Sequence, residues 1–283
     1  MAEMTMQGLV GGADGVTEHF LSTTYPAIAD AVSAPLYYVA ILYWALFGYQ
    51  IYAGHAPMQW KDLLARAVMT VAVFATLQWG GFAQQLYHFF VSFMEGSAAT
   101  IMAGEPTSNM IDSLFKNVDA AADKLRATAS WHEIAIILNA LLLFVVNCLL
   151  FIVALLYMLI AKFGLAINMV LAPLFLGFFM FTATRQWGMN WLSKMLYFCF
   201  IYILVIAIVR FGFVAFADTI NMAEGLAAPG ILATSKQITQ LVIVESVLIL
   251  LMLGVRGWAS ALSGGAMGSS GMLIMLARRM FGR

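Results

Sequence analysis

The sequence predicts an all-α fold, a polytopic membrane helical bundle of about five transmembrane helices with a proline-broken re-entrant segment and an amphipathic extracytoplasmic loop. Three observations predict it. Of the 283 residues, 63% are hydrophobic and 10% charged, whereas a soluble domain carries about 25% charged residues. Apolar runs recur at bilayer-spanning length, and most charges fall between the runs rather than within them. So few charges cannot cover a water-exposed surface, so lipid solvates most of the chain. The formal net charge is zero, which leaves no electrostatic footprint for tight duplex binding.

Residues 1–33 hold Glu3, Asp14, Glu18 and Asp30 and no Lys or Arg. No cleavable signal peptide is therefore expected, and this N-terminal segment is expected to be periplasmic. Within it Thr17–Val32 is amphipathic, with Phe20, Leu21, Tyr25, Ile28 and Val32 among polar neighbours, and Pro26 is expected to break it. Residues 34–94 carry the first two membrane helices. The first runs from Ala34 to Tyr52, with Tyr37, Tyr38, Tyr49 and Tyr52 at its ends, where amphipathic rings settle at the interface. The second runs from Leu63 to Phe82, with Arg66 near enough to its start to snorkel, and residues 83–94 emerge at the interface. Residues 95–133 form a periplasmic loop. In it Asp112, Lys116, Asp119, Asp123, Lys124 and Arg126 alternate with Ile111, Leu114, Phe115, Val118 and Leu125 at helical period.

Residues 134–257 hold three membrane helices and the re-entrant segment, 163–182. The third span, Ile134–Ala161, has a length of roughly 42 Å, which exceeds the hydrocarbon core of about 30 Å, so it must tilt or protrude. Pro173 interrupts the next apolar stretch, and Gly164 and Pro173 are the candidate turn residues. Irregular backbone at membrane depth is tolerated only against protein or a water-filled cavity. Arg185, Trp187, Trp191 and Lys194 read as an interfacial loop before a span from Met195 to Ala217. The last span is Ile238–Gly257, and residues 258–283 form a basic tail expected to be cytoplasmic.

Basic residues collect on the cytoplasmic side. With five spans, Lys61, Arg66, Lys162, Arg185, Lys194, Arg256, Arg278, Arg279 and Arg283 lie inside; Lys116, Lys124, Arg126 and Lys236 lie outside. Counting the Pro173 stretch as a sixth span moves six of the inside residues, from Arg185 to Arg283, to the outer face. Five spans are favoured, with the N-terminus outside and the C-terminus cytoplasmic.

Catalytic and metal-binding constellations are missing. His19, His55, His88 and His132 are scattered, and His132-Glu133 lacks the second His of a zinc-protease helix, since Ile136 and Ile137 stand there. No phosphate-cradling or dinucleotide-binding glycine motif occurs, so neither enzyme activity nor a cofactor is expected. Cys148 and Cys199 read as unpaired, packed thiols. Arg210 and Glu245 each lie about seven residues from the outer ends of successive antiparallel spans, roughly 10 Å deep. Intramembrane charges pair or line polar paths, so these two are expected to pair. Asn139, Asn147 and Asn168 can hydrogen-bond between helices.

The long third span, Gly164, the turn Ala172-Pro173-Leu174-Phe175, then Phe181, Thr184-Arg185 and Trp191 together resemble a known family. It is the polytopic inner-membrane subunit of type IV secretion (conjugation) systems, of TrbL/VirB type. Ala172 stands where that family usually has glycine, and Trp187 where it often has Phe. The resemblance implies a non-enzymatic, homo-oligomeric scaffold and channel component supporting substrate translocation and pilus assembly. Its implied partners are pilin, minor pilin, bitopic inner-membrane subunits, ATPases, the lipid bilayer, and translocating DNA or protein, which residues 95–133 are implied to touch. A stand-alone secondary transporter or channel is the alternative, since such proteins also use broken helices. Against it, the two halves show no repeat. A membrane-anchored enzyme or insertase lacks a candidate active site.

Overall fold

A computed structural model describes residues 6–55, 59–102, 107–128, 134–181, 183–219 and 235–264. Regular structure among them is helical throughout: α1 (Met6–Tyr52), α2 (Trp60–Ala75), α3 (Phe82–Ile101), α4 (Thr107–Thr128), α5 (Ile134–Val170), α6 (Ala172–Gly177), α7 (Arg185–Ala215) and α8 (Ser235–Leu262). One 3₁₀ turn, Phe178–Met180, follows α6. Among the described residues four stretches are long and apolar enough to cross a membrane: Gly8–Tyr52, Leu138–Val170, Arg185–Ala215 and Lys236–Leu262. The all-α membrane bundle stands.

Two boundaries in the first third of the chain differ from the sequence reading. Helix α1 passes through Pro26 and Pro35 without ending, so residues 6–33 run unbroken into the first span. Proline removes one backbone donor but leaves the rest of the ladder intact, and membrane helices tolerate it where neighbouring groups re-satisfy the freed carbonyl. The second expected span, 63–82, is not one helix. Helix α2 stops at Ala75 after 16 residues, about 24 Å at 1.5 Å per residue, and α3 resumes at Phe82. Gly80 takes φ +100 within the break, a conformation that costs glycine little and other residues much.

The chain divides into two compact units. Unit 1 comprises Met1–Asp14, Phe93–Lys162 and Tyr197–Arg283; unit 2 comprises Gly15–Ser92 and Phe163–Leu196. In unit 1, α8 buries Ile238, Leu241, Val244, Leu248, Met252, Val255 and Ala259 and exposes Ile243, Leu250 and Leu253. That three-to-four spacing is one packed stripe of a helix whose other face meets lipid. Gly212 of α7 meets this stripe: a Cβ there would lie 2.5 Å from Leu248 Cδ2, so glycine sets the approach of α7 and α8. The amphipathic pattern of α4 is used as read. Val118, Ala121 and Ala122 are buried, the Phe115 and Phe151 rings lie 4.8 Å apart, and Asn147 donates its side-chain amide to the Phe115 carbonyl at 3.0 Å.

In unit 2, α1 and α2 run antiparallel. Trp44 donates its indole N–H to Thr70 at 3.3 Å, and further along Tyr25 donates to the carbonyl of Thr76, where α2 ends. A buried cluster of Leu36, Ala40, Val73 and Met180 closes the contact with the turn after α6.

Candidate functional site

Intramembrane polar groups are costly unless paired, so they mark the places where a membrane bundle does more than pack. The most connected of them lies in unit 1. Lys162, within α5, reaches Asp14 of α1 at 2.5 Å and Glu95 of α3 at 2.9 Å, and its side chain is 5% exposed. The two carboxylates are 52% and 44% exposed. The ammonium also lies 5.7 Å from the centroid of the Tyr202 ring on α7, a cation–π distance. One buried cation therefore draws on four helices.

This corrects the charge count. Lys162 was assigned to the cytoplasmic face and Asp14 and Glu95 to the outer one, yet all three touch. Lys162 ends no span: α5 continues eight residues beyond it, to Val170. A charge count assumes that a lysine at the edge of an apolar run sits in a loop. The run only looked interrupted, because Lys carries a long apolar stem that a helix interior accommodates.

Arg210 and Glu245 lie in the same unit but are not joined. Glu245 is 2% exposed, and both its carboxylate oxygens are buried without a hydrogen-bond partner among the described residues. One physical reason is azimuth. Gly212 marks the face of α7 that meets α8, and Arg210, two residues away, lies about 200° around the helix. Glu245 is one turn from Leu248, on the packed stripe of α8.

In unit 2 the broken stretch after α5 is shorter than expected. Residues 163–170 complete α5, so Gly164 lies inside a helix and is not a turn residue. The chain breaks at Leu171, and Pro173 occupies the first turn of α6, where its missing N–H leaves no bond unmade. Ala172, Pro173 and Gly177 are buried. The residues read as an interfacial loop are the start of α7 instead. Arg185, Trp187 and Lys194 are exposed on its first turns, while Trp191 is 3% exposed. Trp191 donates its indole N–H to the Asn168 carbonyl at 2.9 Å, and Asn168 returns its side-chain amide to the Trp191 carbonyl at 3.4 Å. The Trp191 ring also stacks on Phe175 at 6.4 Å and 9°. This clasp holds the end of α5 against the start of α7.

Sequence reasoning named Trp191 and Asn168 separately but not as partners, and it missed the triad of Lys162, Asp14 and Glu95. A signal was present. Lys162 stands amid apolar residues from Ile134 to Phe181, and a lone cation in such a run demands acids from other helices. Among the described residues, no group of three or more His, Cys, Asp or Glu is placed to hold a metal. Chemically, these arrangements fix helices in register and offer no nucleophile beside a base.

The family model for the TrbL/VirB6 plasmid conjugal transfer protein matches residues 40–255. The chain is similar to the type IV secretion system protein VirB6 of Bartonella quintana (strain Toulouse), 25% identical over 195 residues, covering 67% of this chain and 60% of that protein. It is similar to the VirB6 of Bartonella henselae (strain ATCC 49882 / DSM 28221 / CCUG 30454 / Houston 1), 25% identical over 193 residues, covering 66% and 59%. The matched region thus spans about three fifths of the length of those relatives.

Proposed function

This chain belongs to the TrbL/VirB6 family of plasmid conjugal transfer proteins, and we propose on that basis that it is an inner-membrane scaffold and channel component of a type IV secretion system. In this role it supports translocation of DNA or protein substrate and pilus assembly, and it catalyses no reaction itself. The observation that carries the reading is the family match across residues 40–255, which covers the broken helix α2–α3, the clasp and α7. Helices fixed by buried polar ties suit a scaffold. The sequence has no phosphate-binding loop to couple to nucleotide hydrolysis, so partner ATPases supply the work. Pilin, minor pilin and bitopic inner-membrane subunits complete the proposed set of partners, and the chain itself forms a homo-oligomer. We place the N-terminus in the periplasm and the C-terminus in the cytoplasm, with the stretch that follows α3, up to residue 133, as the substrate-facing region and residues 171–184 as the re-entrant turn.

The test is deletion in a strain that carries the secretion system, with affinity purification in mild detergent. Loss of substrate transfer on deletion, restored by the chain, together with recovery of ATPase and pilin subunits, supports the reading. Intact transfer on deletion, or solute flux by the purified chain alone in vesicles, refutes it and favours a stand-alone transporter.

A further inference from the structure

Arg66 is set differently from the other cation inside the bundle. Lys162 has two carboxylates, but no carboxylate among the described residues forms an ion pair with Arg66; Asp62, one turn earlier on α2, is exposed. Its guanidinium donates one hydrogen bond, from Nη1 to the Tyr43 hydroxyl at 2.6 Å. Its Cζ lies 4.3 Å from the centroid of the Phe47 ring. Stacking on an aromatic face fixes the plane of a guanidinium and leaves its edge free to donate.

That edge borders a crevice of about 290 Å³ in unit 2, lined by Val39, Leu42, Leu46 and Phe181 as well as Tyr43 and Arg66. Val39, Leu42 and Leu46 are exposed and form an apolar track along α1, about 10 Å from first to last at 1.5 Å per residue. Tyr49, Tyr52 and Trp60 lie beyond the cationic end and are exposed, as aromatic residues are at a membrane interface. An unpaired cation at the interface end and an apolar track running from it match the two ends of one kind of molecule. Planar, bidentate donation suits a phosphodiester.

We propose that the Arg66 crevice is a binding site for an anionic phospholipid, with the phosphate on the Arg66 guanidinium and an acyl chain along Val39, Leu42 and Leu46. A bilayer supplies this ligand at high local concentration. Basic pockets between membrane helices take phosphate headgroups in the same way. The bound lipid fills the crevice beside α1, α2 and the turn after α6, so it fastens the broken stretch of the bundle.

Native mass spectrometry of the full chain in mild detergent, titrated with phosphatidylglycerol or phosphatidylcholine, tests the site. Phosphatidylglycerol is expected to bind more tightly. Arg66→Gln is expected to weaken it about tenfold, to the level of phosphatidylcholine, since the charge-assisted hydrogen bond to the phosphate is lost. Leu46→Trp, which fills the exposed crevice and leaves the cation in place, is expected to weaken both lipids, and Lys61→Gln neither. Equal binding of the two lipids by the unaltered chain overturns the proposal. So does unchanged phosphatidylglycerol binding by Arg66→Gln or Leu46→Trp. Displacement by inorganic phosphate alone marks a free-anion site, and capture of an acidic partner protein through Arg66 marks a protein interface; either outcome replaces the lipid.

Discussion

In unit 1 an ammonium that is 5% exposed stands between carboxylates from α1 and α3, whereas unit 2 fastens its helices with neutral donors, Trp191 to Asn168 and Tyr25 to Thr76. The contrast separates two ways of holding a membrane bundle. Lys162 is asymmetric: the cation is buried, but each acid keeps about half its surface open. Removing the acids strands a charge in a poorly solvating interior, while removing the lysine leaves two carboxylates that are each only about half covered. The clasp in unit 2 carries no charge to strand, so its loss costs only a hydrogen bond and some packing.

The largest effect should follow from that asymmetry. Asp14→Asn with Glu95→Gln leaves Lys162 without an anionic partner, and a stranded buried charge costs at most about 3–5 kcal/mol. Lys162→Met in the otherwise unaltered chain should cost less than that, since each carboxylate it leaves behind is about half exposed. Thermal unfolding in detergent reads the difference, and equal losses for the two variants erase the asymmetry. Next in size is Trp191→Phe. It deletes the N–H that meets the Asn168 carbonyl and trims a buried ring, an expected loss of about 2 kcal/mol. The same measurement checks it, and a loss as large as that of the acid-free variant removes the distinction between the units.

Tyr25→Phe tests the weaker neutral tie. The Thr76 carbonyl sits where α2 stops, so its tyrosine partner stands in for a helical donor; about 1 kcal/mol should be lost. Hydrogen exchange should quicken around residues 76–81 and stay unchanged at Lys162. Smallest is Glu245→Leu. Both oxygens of Glu245 lack a hydrogen-bond partner among the described residues, and an apolar side chain of similar reach avoids burying them, so stability should hold or rise slightly. A marked loss reveals a partner that this conformation does not make.

Hydropathy made the helical class and the apolar stretches legible, because each stretch needs only enough nonpolar residues in a row. The heptad-like spacing of α4 was legible for the same reason: its polar and apolar faces are written in the sequence. What escaped was anything that depends on rotation about a helix axis or on which helices meet. Arg210 and Glu245 were matched by counting residues along each span, but the α7 position that meets α8 is Gly212, against Leu248. Lys162 was read as a loop charge because its acids come from residues 14 and 95, far off in sequence. Pro26 was read as a stop, yet helix α1 continues through it. Trp191 was read as an interfacial aromatic, yet it is buried in α7, because its bond to Asn168 depends on which helices meet.

Lys162 is where the two accounts of this chain part most sharply, and maleimide labelling decides between them. With Lys162→Cys as the added thiol in intact inner-membrane vesicles, and the native cysteines replaced, the account predicts protection from a membrane-impermeant maleimide on either face until detergent or denaturant opens the bundle. Rapid labelling from the cytoplasmic side alone places the residue in a loop and contradicts it.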